Sequence, residues 1–148
     1  MHLSDLVNKA KEIAEQAHAG QIDKAGSPYM EHPAFVASMM ETDEEKIVAW
    51  LHDVLEDTSV SAKCLAAVFP ERIMAALDAL THRDNESYEE YIERIRLNQL
   101  AVKVKMADLV HNMDLTRLHD PTEKDFQRAK KYKLAYEKLL TNTVIANT

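Results

Sequence analysis

The sequence predicts an all-α, single-domain fold, and three observations point to it. The 148 residues include only two glycines and four prolines, whereas Ala, Leu, Lys, Glu and Met are abundant, so helices joined by short polar loops are expected. Two capping boxes, Thr42-Asp43-Glu44-Glu45 and Ser87-Tyr88-Glu89-Glu90, each precede an apolar run at helical spacing. Alternating, strand-like stretches are scarce, and a chain that is 46% hydrophobic can bury a substantial core as one compact helical bundle over 1-148.

The elements follow in order. Leu3, Leu6, Val7, Ala10, Ile13, Ala14 and Ala17 recur on one helical face, so a first amphipathic helix runs to about His18 and stops at Gly20. Residues 19–30 hold Gly20, Gly26 and Pro28 and read as an ordered loop. Pro33 suits a helix start, which puts Glu31 and His32 at the entrance of a second helix. The Thr42 box opens a third helix, through Ile47, Trp50, Leu51 and Val54, that delivers His52 and Asp53. Ser59 or Ser61 can cap a short helix to Phe69, with Cys64 on its apolar face as a core residue, and Pro70 can start the next helix. A polar break, Thr81 to Glu86, precedes the helix of the Ser87 box, in which Tyr88 and Tyr91 suit packing positions with one wet end. Val102 to Met106 alternates like a strand, but Met106, Leu109, Val110 and Met113 continue at helical spacing and no partner strand exists, so a helix is predicted. Asp120-Pro121-Thr122-Glu123 caps a lysine-rich last helix with apolar positions at Phe126, Ala129, Leu134 and Leu139.

Composition excludes several functions. A formal net charge of −7 argues against non-specific nucleic-acid binding and against an anionic membrane surface. One cysteine cannot form an internal disulfide, and no signal-like or spanning apolar run is present, so a cytoplasmic setting is expected. At this length no second catalytic or regulatory domain is expected. No P-loop, GxGxxG, paired-cysteine site or nucleophile triad can be recognised.

The chemistry concentrates in Leu51-His52-Asp53-Val54-Leu55-Glu56-Asp57-Thr58, where an imidazole and three carboxylates interrupt an apolar segment. Burying that much charge is costly without partners, which suggests a bound cation. On a continuous helix at about 100° per residue, His52, Glu56, Asp53 and Asp57 fall within roughly 140° and can face one site. Taken with His32 and Asp108, His52 and Asp53 give two imidazoles and two carboxylates, a mixed set that suits Mn²⁺, Fe²⁺, Mg²⁺ or Zn²⁺ more than a structural zinc.

These segments resemble the HD-domain metal phosphohydrolases, and within them the hydrolase domain of RelA/SpoT-type alarmone enzymes and the small alarmone hydrolases. The resemblance rests on Ala17-His18-Ala19-Gly20-Gln21, Gly26-Ser27-Pro28-Tyr29-Met30-Glu31-His32-Pro33, the stretch from Leu51 to Thr58, and Val104-Lys105-Met106-Ala107-Asp108 with His111-Asn112-Met113. These four motifs occur in the family's order. It implies an all-helical fold, Mn²⁺ as the usual metal, and metal ligands His32, His52, Asp53 and Asp108. It further implies Glu56 and Asp57 as the catalytic acidic pair, and Lys24 and Asn112 as contacts to phosphate and sugar. The implied reaction is removal of the 3′-pyrophosphate from guanosine tetra- or pentaphosphate, a small-molecule nucleotide.

Against that pattern, Asp23, Ala25, Leu109 and Asp114 stand where the family usually carries arginine, serine, arginine and arginine. The arginine at the first of these positions stacks on guanine in the family, and a carboxylate offers no cation-π contact. The metal positions are retained while polar contacts change, so a phosphatase for another nucleotide, such as a nucleoside monophosphate or phosphorylated dinucleotide, stays open. So does a non-catalytic nucleotide-binding module. Residue by residue, Lys24 is equally a solvated lysine, Asn112 a helix C-cap, and His111 either a support for the site or core. His18 suits a hydrogen bond to a loop carbonyl, and the second Leu-His-Asp, at Leu118-His119-Asp120, is explained by Asp120 as a helix cap.

Overall fold

The computed structural model describes residues 2–146, and among them it contains helices and no strand beyond a single bridge between Ile22 and Pro28. The helices are α1 (Leu3–Ala17), α2 (Glu31–Ser38), α3 (Asp43–Leu51), α4 (Val54–Asp57), α5 (Ala62–Ala66), α6 (Glu71–Leu80), α7 (Tyr88–Arg96), α8 (Gln99–Met113) and α9 (Glu123–Ala146), with a 3₁₀ turn at Leu115–Arg117. No helix among the described residues is long and apolar enough to cross a membrane.

Both capping boxes form. Thr42 accepts from the Glu45 amide while Glu45 accepts from the Thr42 amide, and Ser87 and Glu90 reciprocate in the same way. Ser61, not Ser59, caps α5, and Asn98 caps α8 by accepting from the Ala101 amide at 2.9 Å. The last helix begins two residues later than Asp120 suggests. Thr122 accepts from the Asp125 amide at 3.3 Å and Asp125 accepts from the Thr122 amide at 2.9 Å, so this pair forms the cap and Asp120 is left in the preceding bend. Gly20 and Gly26 hold φ of 84° and 86°, the left-handed conformations that let the α1–α2 loop fold back on itself.

Two helices organise the core. α3 packs on α1, α2, α6 and α8, and α8 packs on α2, α3, α6, α7 and α9. Because α8 has neighbours on several sides, Ala101, Val102, Val104, Ala107 and Leu109 are all buried, and only Gln99 and Lys103 are exposed in its first half. That is why Val102 to Met106 mimicked strand alternation in sequence. Ile47, Leu51, Ile73, Leu77, Ile92, Ile95 and Leu109 are fully buried, each worth about 1.5–3 kcal/mol against exposure. On α9 the core residues are Ala135 and Leu139, flanked by Tyr132 and Tyr136, whereas Phe126 and Leu134 face solvent.

Cys64 is exposed, contrary to its expected core position. α5 is a surface turn of helix that buries only Leu65, so there is no second layer of neighbours to cover the thiol. Tyr91 also lacks a wet end, since its hydroxyl donates to the Leu80 carbonyl at 2.6 Å, and the Tyr88 hydroxyl is buried without a hydrogen-bond partner.

Candidate functional site

α3 stops at Leu51, so His52 and Asp53 sit on the junction to α4 instead of on a continuous helix. This changes the geometry expected from helical spacing. Consecutive residues of one helix diverge by about 100°; here His52 and Asp53 keep right-handed backbone at the break between the two helices, and both side chains reach one point. His52 Nε2 lies 3.1 Å from Asp53 Oδ2. α2 supplies His32 from its first turn, with Nε2 3.2 Å from His52 Nε2 and 2.7 Å from Asp108 Oδ1. α8 supplies Asp108, whose Oδ1 is 3.4 Å from His52 Nε2. One donor atom from each of His32, His52, Asp53 and Asp108 therefore falls within 4.8 Å of all the others. His32, His52 and Asp108 are buried, and Asp53, 20% exposed at its side chain, opens the cluster to solvent.

The surrounding hydrogen bonds fix how these groups point. His52 Nδ1–H donates to the Ala49 carbonyl at 2.6 Å, which leaves Nε2 to face the centre. His32 Nδ1 is 2.7 Å from His111 Nδ1. Burial first, then the nearby His32 and Arg117, push His111 down to about 4, so it is neutral near pH 7. A neutral His111 can accept from His32 Nδ1–H, and His32 Nε2 then also carries its lone pair inward. Asp108 receives Lys105 Nζ at 2.8 Å on Oδ2 and Asn112 Nδ2 at 3.0 Å on Oδ1, while the Tyr29 hydroxyl donates to Asp53 Oδ2.

The electrostatics favour positive charge at the centre. Burial works against protonation of His52, yet Asp53 and Asp108 raise it well above the ordinary imidazole range. Burial likewise opposes ionisation of Asp108, but Lys105 and the two imidazoles hold it well below the usual carboxylate range. Two nitrogen lone pairs and two carboxylates, each oriented from behind by a further hydrogen bond, are a donor set that fits a divalent cation.

The cluster lies between two clefts that share Asn112 and Tyr132. The first, about 360 Å³, reaches from His32 to the loop residues Ile22 to Ala25 and to Arg117. The second, about 240 Å³, runs from His52, Asp53 and Asp108 past Glu56 and Lys105 to His82. Lys24 lines the first cleft and is exposed, and Asn112 lies inside the last turn of α8 with its amide on Asp108, not at a C-cap. Glu56 lines the second cleft, where its Oε1 accepts from the backbone amide of His82. The polar break thus borders the site through His82, although its composition reads as a solvated loop. Partial burial, then opposed by the His82 amide, and the charge of Asp53 leave Glu56 raised from its ordinary value, and burial with Asp53 raises Asp57.

Asp57, exposed at the end of α4 and in the lining of neither cleft, receives Gln21 Nε2 on its backbone carbonyl at 3.0 Å; Gln21 Oε1 is in turn 2.9 Å from His18 Nδ1. The partner of His18 is therefore a side-chain amide of the loop instead of a backbone carbonyl. Sequence reasoning assigned no role to Tyr29 or Lys105 and left His111 open. The available signals were Tyr29 and Lys105 three residues before His32 and Asp108, and His111 three residues after Asp108, which places each pair on one helical face or its approach.

No family model matches the chain. Curated relatives do. A probable GTP pyrophosphokinase of Mycobacterium leprae is 30% identical over 84% of this chain and 17% of its own length. A guanosine-3′,5′-bis(diphosphate) 3′-pyrophosphohydrolase of Borreliella burgdorferi is 35% identical over 71% of this chain and 18% of its own length. The bifunctional (p)ppGpp synthase/hydrolase SpoT of Escherichia coli is 32% identical over 68% and 16%. The chain thus spans about one sixth of the length of these relatives. A solved structure of a metazoan ortholog of SpoT, described as hydrolysing ppGpp and acting in starvation responses, superposes with a TM-score of 0.76 at 22% identity. That match covers 96% of this chain and 87% of the other, and it shows that the two share a fold.

Proposed function

We propose, for a chain related to the hydrolase domain of the RelA/SpoT-type enzymes and built on the HD-domain fold, that it is a divalent-metal phosphohydrolase acting on a nucleotide. The leading substrate is a guanosine 3′-pyrophosphate such as ppGpp. The observation that carries the reading is the convergence of His32, His52, Asp53 and Asp108 within 4.8 Å, from three separate parts of the chain. These four would hold the metal, with Mn²⁺ the first choice and Fe²⁺, Mg²⁺ and Zn²⁺ the others that a nitrogen and oxygen set admits. A metal so held supplies a water of lowered pKa and neutralises phosphate oxygens.

The chain's own residues supply the rest. His111 and Ala49 orient the two imidazoles, and Lys105 and Asn112 orient Asp108, so the donors are aimed at one centre from behind. Glu56 carries a proton between water and the leaving oxygen, because one of its oxygens is tied to the His82 amide while the carboxyl, raised by burial, can exchange a proton. Asp57, fixed at its carbonyl by Gln21, orients the water. Lys24 meets a phosphate from the loop, and Asn112 meets the sugar from between the two clefts. Water attacks the 3′-phosphorus, the ester oxygen leaves with a proton, and ppGpp yields GDP and pyrophosphate.

A second reading, a phosphatase for another nucleotide on the same machinery, is favoured by one observation. Asp23 brings a carboxylate to the first cleft, where it pairs with Arg117 at 3.1 Å. Chromatography of products over a nucleotide panel with Mn²⁺ separates the two: pyrophosphate and GDP from ppGpp support the first. Orthophosphate from other nucleotides, with ppGpp untouched, would replace it with the second. No turnover of any nucleotide, with the metal bound, would leave a binding module.

A further inference from the structure

The first cleft contains an ion pair that the metal cluster does not use. Asp23 Oδ2 lies 3.1 Å from Arg117 Nη2, joining the α1–α2 loop to the 3₁₀ turn after α8 across 94 residues of sequence. Both partners are built into place. Asp23 Oδ1 accepts from the amides of Ala25 and Ser27, each at 2.9 Å, and the Asp23 amide donates to the Ser27 carbonyl at 2.9 Å. On the other side Asp114 caps the turn that carries Arg117, accepting from the Thr116 amide at 3.0 Å, and Arg117 Nη1 donates to the His111 carbonyl at 3.3 Å.

The pair is partly buried, with Arg117 28% and Asp23 13% exposed at the side chain, so it can tie the loop to the turn and still leave the arginine open to the cleft. The inventory of bonds assigns different tasks to the two partners. A carboxylate has about four acceptor positions, and three of those on Asp23 are taken by Ala25, Ser27 and Arg117. Asp23 therefore has little left with which to read a base edge. Arg117 uses only two of its five N–H groups in these bonds, and its planar cation lines the cleft beside Leu115, Leu118 and the largely exposed Ile22. A flat, weakly hydrated cation among apolar side chains is a stacking platform for a heteroaromatic ring. The other cations of this cleft are placed differently: Arg128 is tied to Asp125 at 2.7 Å on its own helix, and Lys24 has no planar face.

Resting on the nucleotide reading above, we propose that Arg117, in the wall of the first cleft, contacts the nucleobase and determines base preference, with Asp23 as its positioning residue. The test is titration calorimetry of the Mn²⁺-loaded protein with GDP and with ribose 5-diphosphate, which carries the same phosphates and no base. The unsubstituted protein is expected to bind GDP more tightly. Arg117→Ala should weaken GDP roughly tenfold and leave ribose 5-diphosphate within about twofold. Arg117→Lys, which keeps the charge without the plane and guards against a folding defect, should also lose most of the base-dependent gain. Asp23→Ala should lower the same gain through KM with kcat little changed, and should add nothing in an Arg117→Ala background.

Equal weakening of both ligands by Arg117→Ala would make Arg117 a phosphate contact and overturn the proposal. So would no effect on either ligand, or a further loss from Asp23→Ala in the double variant. Failure of the unsubstituted protein to bind either ligand would overturn the nucleotide reading together with this one. Binding of both ligands with equal affinity would overturn this one alone.

Discussion

The chain contains the tripeptide Leu-His-Asp twice, at Leu51 to Asp53 and at Leu118 to Asp120, and the structure treats the two copies in opposite ways. His52 is 4% exposed and meets Ala49, His32, Asp53 and Asp108, whereas His119 and Asp120 are exposed in a bend, and neither side chain makes a hydrogen bond among the described residues. The difference is not in the dipeptide. The first copy interrupts an apolar helix at a point where α2 and α8 bring an imidazole and a carboxylate of their own. The second lies beyond the end of α8, where both side chains are open to water. Charge becomes chemistry where desolvation makes it costly and complementary groups make it tolerable.

The largest effect is expected from exchanging the buried copy. His52→Ala with Asp53→Ala should remove the divalent metal, read by elemental analysis of the purified protein, and should lower turnover by about a thousandfold or more. Chelation of the unsubstituted protein should do the same, and Mn²⁺ should restore it. His119→Ala with Asp120→Ala should leave both readings unchanged. Metal retained in the first double variant would remove the basis for distinguishing the copies.

Next comes the proton carrier. Glu56→Gln should keep the metal and cost about 10²–10⁴ in kcat. Glu56 is raised from the ordinary carboxylate value of 4.5, so the limb of the pH profile that it sets should lie above that pH and vanish in the variant. Unchanged kcat would assign the proton to another group.

A smaller loss should follow from removing a support behind a ligand. His111→Phe keeps a ring against Phe35, with which His111 now stacks at 4.2 Å, but removes the acceptor for His32 Nδ1. Metal affinity should fall about 10–100-fold with the fold intact. An affinity within twofold of the original would make His111 a packing residue.

How much of this was legible in the sequence follows from the range of each interaction. Thr42 with Glu45 and Ser87 with Glu90 act within four residues, so the capping boxes and most helix starts could be read directly. The group His32, His52, Asp53 and Asp108 was legible because linked motifs announced it, and helical spacing already let His52 and Asp53 face one site; what it missed is the break between α3 and α4 on which they sit. The junction between α3 and α4 depends on packing that no local pattern encodes. Asp23 showed that a cationic contact was missing from the loop; its pairing with Arg117 spans 94 residues and belongs to the tertiary structure alone. Cys64 failed for a related reason: a helical apolar face predicts burial only if a neighbouring element covers it, and none covers α5 at that position.

The smallest expected effect returns to the exposed tripeptide. Asp120 suits a helix cap by sequence, yet α9 is capped by Thr122, whose hydroxyl is 3.3 Å from the Asp125 amide and 3.0 Å from Asp125 Oδ2. Thr122→Ala removes the acceptor for an otherwise unpaired first-turn amide and should cost about 1 kcal/mol in denaturant unfolding. Asp120→Ala removes a solvated carboxylate near the positive end of the α9 dipole, beyond its first turn, and should cost less than about 0.5 kcal/mol. Equal costs, or a larger one for Asp120, would show that the second Leu-His-Asp has a structural task after all. In that case the two copies would differ in the kind of work they do, with the first serving the site and the second the start of α9.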